Sequence, residues 1–264
     1  NGGEKHGIKC IIRTEDDGTY NNTTGRKFDS YADLDENLHF FHDTENTDNL
    51  YLYCEDGNPG EIFESIEICV GTHIFIIRAN NLRFDNISFK YGGGHGISAN
   101  TRKNLTITNC EFQWLGGSIQ KGVQFAKNYP TRFGNGVEIY GGCNGFTVKN
   151  CFFNQIYDAA ATFQYSNKEA TDIAMQNIEF SDNVMQYCNY SFEYFLTTSD
   201  MGTGSYIKDV KVENNLMWYA GYGLCEQRPD KVDAAHVKAW EHNNYLKGTF
   251  TITNNLFAIS RTDL

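Results

Sequence analysis

One nine-residue pattern recurs six times and limits the fold more than any other feature of the chain: NLRFDNISF, NLTITNCEF, GFTVKNCFF, NIEFSDNVM, DVKVENNLM and TFTITNNLF. Aligned, these segments place Leu82, Leu105, Phe146, Ile178, Val210 and Phe250 in one column. Phe84, Ile107, Val148, Phe180, Val212 and Ile252 follow two residues later. Alternation of that kind is a strand signal and excludes helical solenoids. A polar column of Asn86, Asn109, Asn150, Asp182, Asn214 and Asn254 comes next, and three residues beyond it an apolar one of Phe89, Phe112, Phe153, Met185, Met217 and Phe257.

Successive members of the polar column are 23, 41, 32, 32 and 40 residues apart, which reads as a coil of 23 residues lengthened by loops inserted at one turn. A strand that cannot bury its apolar face alone can bury it against copies of itself. The spacing is too irregular for propeller blades. The predicted fold is all-β, a right-handed parallel β-helix, with the asparagine column stacked at a bend in a structural role. Cys110 and Cys151 fall in one column of neighbouring coils, where α-carbons lie about 4.8 Å apart. That spacing permits a disulfide, but stacked reduced thiols are the expectation.

Residues 1–70 read as an extension leading into the coils of 71–264. Within LHFFHDTENTDNLYLYCEDGNPGEIFESIEICV, residues 38–42 and 50–54 alternate around a polar turn, the signature of a β-hairpin. The tip DTENTDN lacks the glycine and terminal glutamate of an EF-hand loop. At the other end TITNNLFAISRTDL stops just after a repeat with no amphipathic segment over it, so further coils or a separate cap are expected. The chain begins at Asn1 with no basic and apolar leader, which places any signal peptide outside it. The apolar run HIFII is far shorter than the roughly 20 residues that cross a bilayer, so no membrane span is expected. A formal charge of −11 argues against nucleic acid as partner, because phosphate neutralisation needs clustered Lys and Arg. Eight cysteines without a CxxC pair indicate neither a zinc site nor a thioredoxin motif.

After each repeat the chain enters a second strand: GISA, GVEIY, AAATFQ, SFEYFL and GLCEQ. Turning Ile97, Val137, Ala161, Phe192 and Cys225 inward puts Ser98, Glu138, Thr162, Glu193 and Glu226 together on the outward surface, with the last strand placed to within one residue. Asp158 opens the strand that carries Thr162, and the insertion 118–135 precedes Glu138, so loops wall this face. Glu138 and Glu193, two coils apart, are expected to have α-carbons about 9–10 Å apart, with Asp158 near the level between them. Carboxyls about 5 Å apart serve retaining glycosidases and those about 6.5–9.5 Å apart serve inverting ones. Neighbouring acids also raise one another's pKa, which keeps one protonated as the acid. Glu138, Asp158, Glu193 and Glu226 are therefore the candidate catalytic residues. Trp114, Tyr140, Tyr157, Tyr194 and Gln164 offer stacking faces and hydroxyl ligands. Arg228, His236 and Lys238, grouped in GYGLCEQRPDKVDAAHVKAW, offer groups for an anionic sugar or a leaving group. GGGHG lacks the GK[ST] of a phosphate loop, leaving His95 as a rim ligand at a bend. No nucleophile elbow is present.

These stretches resemble the bacterial right-handed β-helix proteins of the pectin-lyase-like superfamily, in particular the β-helical glycoside hydrolases. The resemblance rests on the hairpin-bearing stretch LHFFHDTENTDNLYLYCEDGNPGEIFESIEI and on RFGNGVEIYGGCNGFTVKNCFFNQIYDAAATFQ with SFEYF and EQRPD. It implies a secreted or cell-surface enzyme acting on an oligosaccharide or polysaccharide through acidic residues on a strand face, here Glu138, Asp158, Glu193 and Glu226, with no cofactor. A polysaccharide lyase or uronate epimerase is the alternative. It needs a base and a cation, and Arg228, His236, Lys238 and calcium would serve. A non-catalytic glycan-binding β-helix is the third reading.

Overall fold

The computed structural model describes residues 10–14, 32, 34–35, 37–38, 40–43, 47, 49–126, 129–166, 172–197, 204–227, 233–240 and 246–262. The aligned columns of the sequence are hydrogen-bonded registers. Leu82 pairs with Leu105, Leu105 with Phe146, Phe146 with Ile178, Ile178 with Val210 and Val210 with Phe250, all in parallel. The column from Phe89 through Phe112, Phe153, Met185 and Met217 to Phe257 pairs in the same way. A further stack joins Phe75, Ile97, Val137, Ala161, Phe192 and Val237. Each repeat thus supplies three strand segments, and each segment lies on its equivalents in neighbouring repeats. The result is an all-β curled sheet of many parallel strands, compatible with a β-solenoid.

Parity explains the core. Ile97, Ile107, Phe112, Val137, Phe146, Phe153, Phe163, Phe180, Phe192 and Met217 are buried to within a few per cent, each side chain contributing roughly 1.5–3 kcal/mol of burial. Phe89, Phe112 and Phe153 stack ring on ring, with centroids 4.8 Å apart at each step, matching the spacing between hydrogen-bonded strands.

Three columns of left-handed residues mark the bends. The first holds Asn81, Asn104, Asn177 and Asp209, the second Asn86, Asn109, Asn150, Asp182, Asn214 and Asn254, and the third Tyr91, Trp114, Gln155, Tyr187, Tyr219 and Ile259. Asn and Asp tolerate this conformation because their short polar side chains bond locally, which accounts for the second column. Amide stacking is present there, since Asn150 Nδ2 donates to Asn109 Oδ1 at 2.6 Å. The buried ladder, however, lies one residue further on. Cys151 N–H donates to Asn183 Oδ1, Asn183 N–H to Asn215 Oδ1, and Asn215 N–H to Asn255 Oδ1, each at 2.9 Å. Cys110 and Cys151 occupy this same inward column as buried free thiols, with Phe152 N–H donating to Cys110 O.

The hairpin pairs Phe40–Asp43 with Asn49–Leu52, Phe40 opposite Leu52, and Phe40 packs with Leu38, Leu50 and Leu52. The tip 44–46 and residue 48 lie outside the described residues. A parallel pair not anticipated from the sequence joins Cys10–Thr14 to Ile66–Val70. No helix among the described residues is long and apolar enough to cross a membrane.

Candidate functional site

Val137 and Ile139 point into the core with no exposure, and the strand between them must therefore turn Glu138 to the opposite face. Thr162 pairs with Glu138 on one side and with Glu193 on the other, and Glu193 pairs with Lys238. One face so carries the run Ser98, Glu138, Thr162, Glu193, Lys238, with the two glutamates two strands apart.

This face is enclosed further than the loop-walled groove expected from the sequence. Glu138 is 7% exposed, Glu193 5% and Thr162 not at all. The insertion before Glu138 forms an antiparallel pair of Ser118–Ala126 and Tyr129–Phe133, and Phe133 lies against the His73 and His95 rings. At its base Gly116 and Gly134 come so close that a Cβ on Gly134 would lie 2.0 Å from the Gly116 Cα. Only glycine fits such a crossing.

One oxygen of Glu138 accepts two hydrogen bonds and the other faces a histidine nitrogen. His95 Nε2 lies 3.2 Å from Oε1, while Asn135 Nδ2 and Gln164 Nε2 each reach Oε2 at 2.8 Å. Gln164 in turn accepts from Thr162 Oγ1 at 3.1 Å, and Thr162 Oγ1 lies 3.5 Å from Glu193 Oε2. The His95 ring stacks on His73 with centroids 4.8 Å apart and planes 2° from parallel, and both rings lie against Phe133. Burial, then the neighbouring His95, lowers the pKa of His73, with Glu138 acting in the opposite direction.

Asp158 is buried at the bend leading into the strand of Thr162, its backbone N–H donating to Gly134 O at 3.1 Å. Tyr157 beside it has no exposure. Trp114 stands in the third left-handed column and not on the carboxylate face. Tyr194 packs on Phe163, Phe192 and Phe250, where burial raises its pKa. The Tyr140 hydroxyl donates to Ser166 O.

The last strand of the stack differs from the expectation. Phe192 pairs with Val237 of Ala235–Trp240 and not with Cys225, so Lys238 occupies the position assigned to Glu226. The segment GLCEQ is a short 3₁₀ helix, Gly223–Gln227, with Glu226 exposed on it. Its start is tied elsewhere, because Leu224 N–H donates to Gln155 Oε1 at 2.7 Å. Arg228 lies outside the described residues. Lys238 bonds to Asp233 and sits over the Tyr190 ring, whose hydroxyl also donates to Asp233 at 2.8 Å. Burial disfavours charge on Asp233, yet the bonds from Lys238 and Tyr190 outweigh it and hold the carboxyl below its ordinary range. His236 is buried, with Ser191 Oγ 3.3 Å from its Nδ1, and burial lowers its pKa.

His73 and Asn135 are functional candidates that sequence reasoning missed. The signal was there: each stands two residues before a member of the stack running from Phe75 through Ile97 and Val137, as His95 does. Compared with known protein families, curated proteins and solved structures, the chain matches none.

Proposed function

We propose that this protein is a right-handed parallel β-helix of the pectin-lyase-like kind, exported by a bacterium, that hydrolyses glycosidic bonds of an oligosaccharide or polysaccharide. The observation that carries the reading is the pair Glu138 and Glu193, two buried carboxylates on one strand face with only Thr162 between them. Two strand spacings are about 9–10 Å between α-carbons, and side chains leaning toward a common substrate bring the carboxyls within the range of about 6.5–9.5 Å that leaves room for a water. That favours the inverting course.

Glu138, held by Asn135 and Gln164 and faced by His95, takes the role of base: it removes a proton from a water whose oxygen attacks the anomeric carbon. Glu193 gives its proton to the glycosidic oxygen as that bond breaks. Asp158, buried beside the same bend, is assigned to sugar hydroxyls. The lyase reading is weaker because Lys238, one of its bases, is bonded to Asp233, and His236 is enclosed beside Ser191.

Incubation with a glycan panel tests the proposal, with reducing ends and absorbance at the unsaturated-uronate band followed together. Reducing ends of inverted configuration without the band support hydrolysis by this pair. The band would instead establish a lyase, and binding without turnover a glycan-binding module.

A further inference from the structure

His73, His95, Asn135 and Ala159 occupy one register position at successive bends, and the side chain of each of the first three takes the backbone N–H of the next. His95 N–H donates to His73 Nδ1 at 3.0 Å, Asn135 N–H to His95 Nδ1 at 2.9 Å, and Ala159 N–H to Asn135 Oδ1 at 2.8 Å. The Asn183, Asn215 and Asn255 ladder does the same structural task at another corner. The difference lies in what is left over. Once its Nδ1 accepts a main-chain N–H, a histidine carries its proton on Nε2, and His95 Nε2 faces Glu138 Oε1 at 3.2 Å. Once Asn135 Oδ1 is used, only its Nδ2 remains, and it reaches Glu138 Oε2.

We infer that His95 and Asn135 are positioning residues: the corner ladder sets the tautomer of His95 and the amide orientation of Asn135, and together they hold the Glu138 carboxylate from two sides. His95, Asn135 and Glu138 are all buried, and the stack on His73 with Phe133 against both rings leaves the His95 imidazole one orientation. The role given to Glu138 rests on the hydrolytic reading; the hold on it does not. A purely structural ladder is served by asparagine acceptors, as Asn183, Asn215 and Asn255 show at the other corner. Histidine adds reach, carrying an N–H across to the next strand.

The test uses the full chain in two arms. In the first, imidazole nitrogens of uniformly ¹⁵N-labelled protein are observed without substrate, with His95 assigned by its loss in His95→Phe. The expected result is a protonated Nε2 and a bare Nδ1 at neutral pH, with the Nε2 resonance moving in Glu138→Gln. A proton on Nδ1, or an Nε2 signal indifferent to Glu138→Gln, overturns the inference. In the second arm, turnover of the glycan found to be hydrolysed is measured. His95→Phe keeps the ring stack but removes both the N–H facing Glu138 and the acceptor of Asn135 N–H, so that neither ladder nor donor holds the base; a misplaced base costs up to about 10²-fold, expected in kcat with KM little changed. His95→Gln, which restores an N–H toward Glu138, should recover part of that loss. Equal activity of wild type and His95→Phe overturns the positioning role. If the wild type cleaves no glycan, the hydrolytic reading fails, and the hold on Glu138 is decided by the first arm alone. If His95→Phe does not fold, His95→Gln serves for both assignment and kinetics.

Discussion

Replacing Asn215 by alanine separates the buried ladder from the exposed bend column beside it. The Asn215 side chain makes four hydrogen bonds: Oδ1 accepts from Asn183 N–H and from Asn183 Nδ2, while its own Nδ2 donates to Phe180 O and to Asn255 Oδ1. It is 2% exposed, so water does not replace these partners. Alanine leaves the Asn183 N–H without its acceptor, a cost of ~1–3 kcal/mol for one buried donor. The remaining amide bonds add ~0.5–1.5 kcal/mol each, partly offset by local relaxation. A loss of about 3 kcal/mol is expected. Asn214, its neighbour, is exposed and left-handed at φ 58°. Alanine there meets only the steric cost of that conformation, ~1–2 kcal/mol, and Asn214→Gly should cost less. Urea unfolding of the full chain, read by circular dichroism, gives the midpoints, and an unchanged slope certifies that stability alone has moved. If Asn215→Ala costs no more than Asn214→Ala, the inward ladder is not what fixes this corner.

Glu138→Gln and Glu193→Gln should each lower turnover of an established glycan substrate by roughly 10²- to 10⁴-fold, while Glu226→Gln on the exposed 3₁₀ helix should leave it near wild type; the reverse ranking sinks the carboxylate-pair reading. Burial pushes the Cys151 thiol up to about 12, with its bond to the Cys110 backbone opposing, and raises Cys110 as well. Alkylation, which needs the thiolate, should thus be slow in the native state and fast once unfolded, and rapid native labelling or a mass lower by two hydrogens would contradict it. His73 and His236 have pKa values lowered by burial, so the native state takes up fewer protons than the unfolded chain. Their contribution to stability is complete above the ordinary histidine value of about 6.5 and is lost as pH falls through and below it. Urea midpoints should fall on acidification, less steeply in His73→Phe with His236→Phe, and a midpoint that rises on acidification would refute the sign.

The sequence by itself determined the strand registers wherever an apolar alternation was repeated. Leu105 against Phe146, or Phe112 against Phe153, follows because parity permits one inward set, and a slip of one residue would turn every core side chain to the other face. The same logic put Glu138 and Glu193 on one face with Thr162 between them. It failed at GLCEQ, where Cys225 inward and Glu226 outward read like a strand, because a short pattern carries no information about which long-range partner claims it. Gln155 takes the Leu224 N–H, Gly223 turns at φ 77°, and the strand that completes the stack begins only at Ala235. Walls beside the carboxylate face were expected from the insertion before Glu138, but the near-complete burial of Glu138, Thr162 and Glu193 depends on tertiary packing that an outward position in a strand does not record. The hold of His95 and Asn135 on Glu138 was decided by tertiary structure alone: it depends on which ring nitrogen a main-chain N–H one coil away has already taken, and no one-dimensional spacing records that.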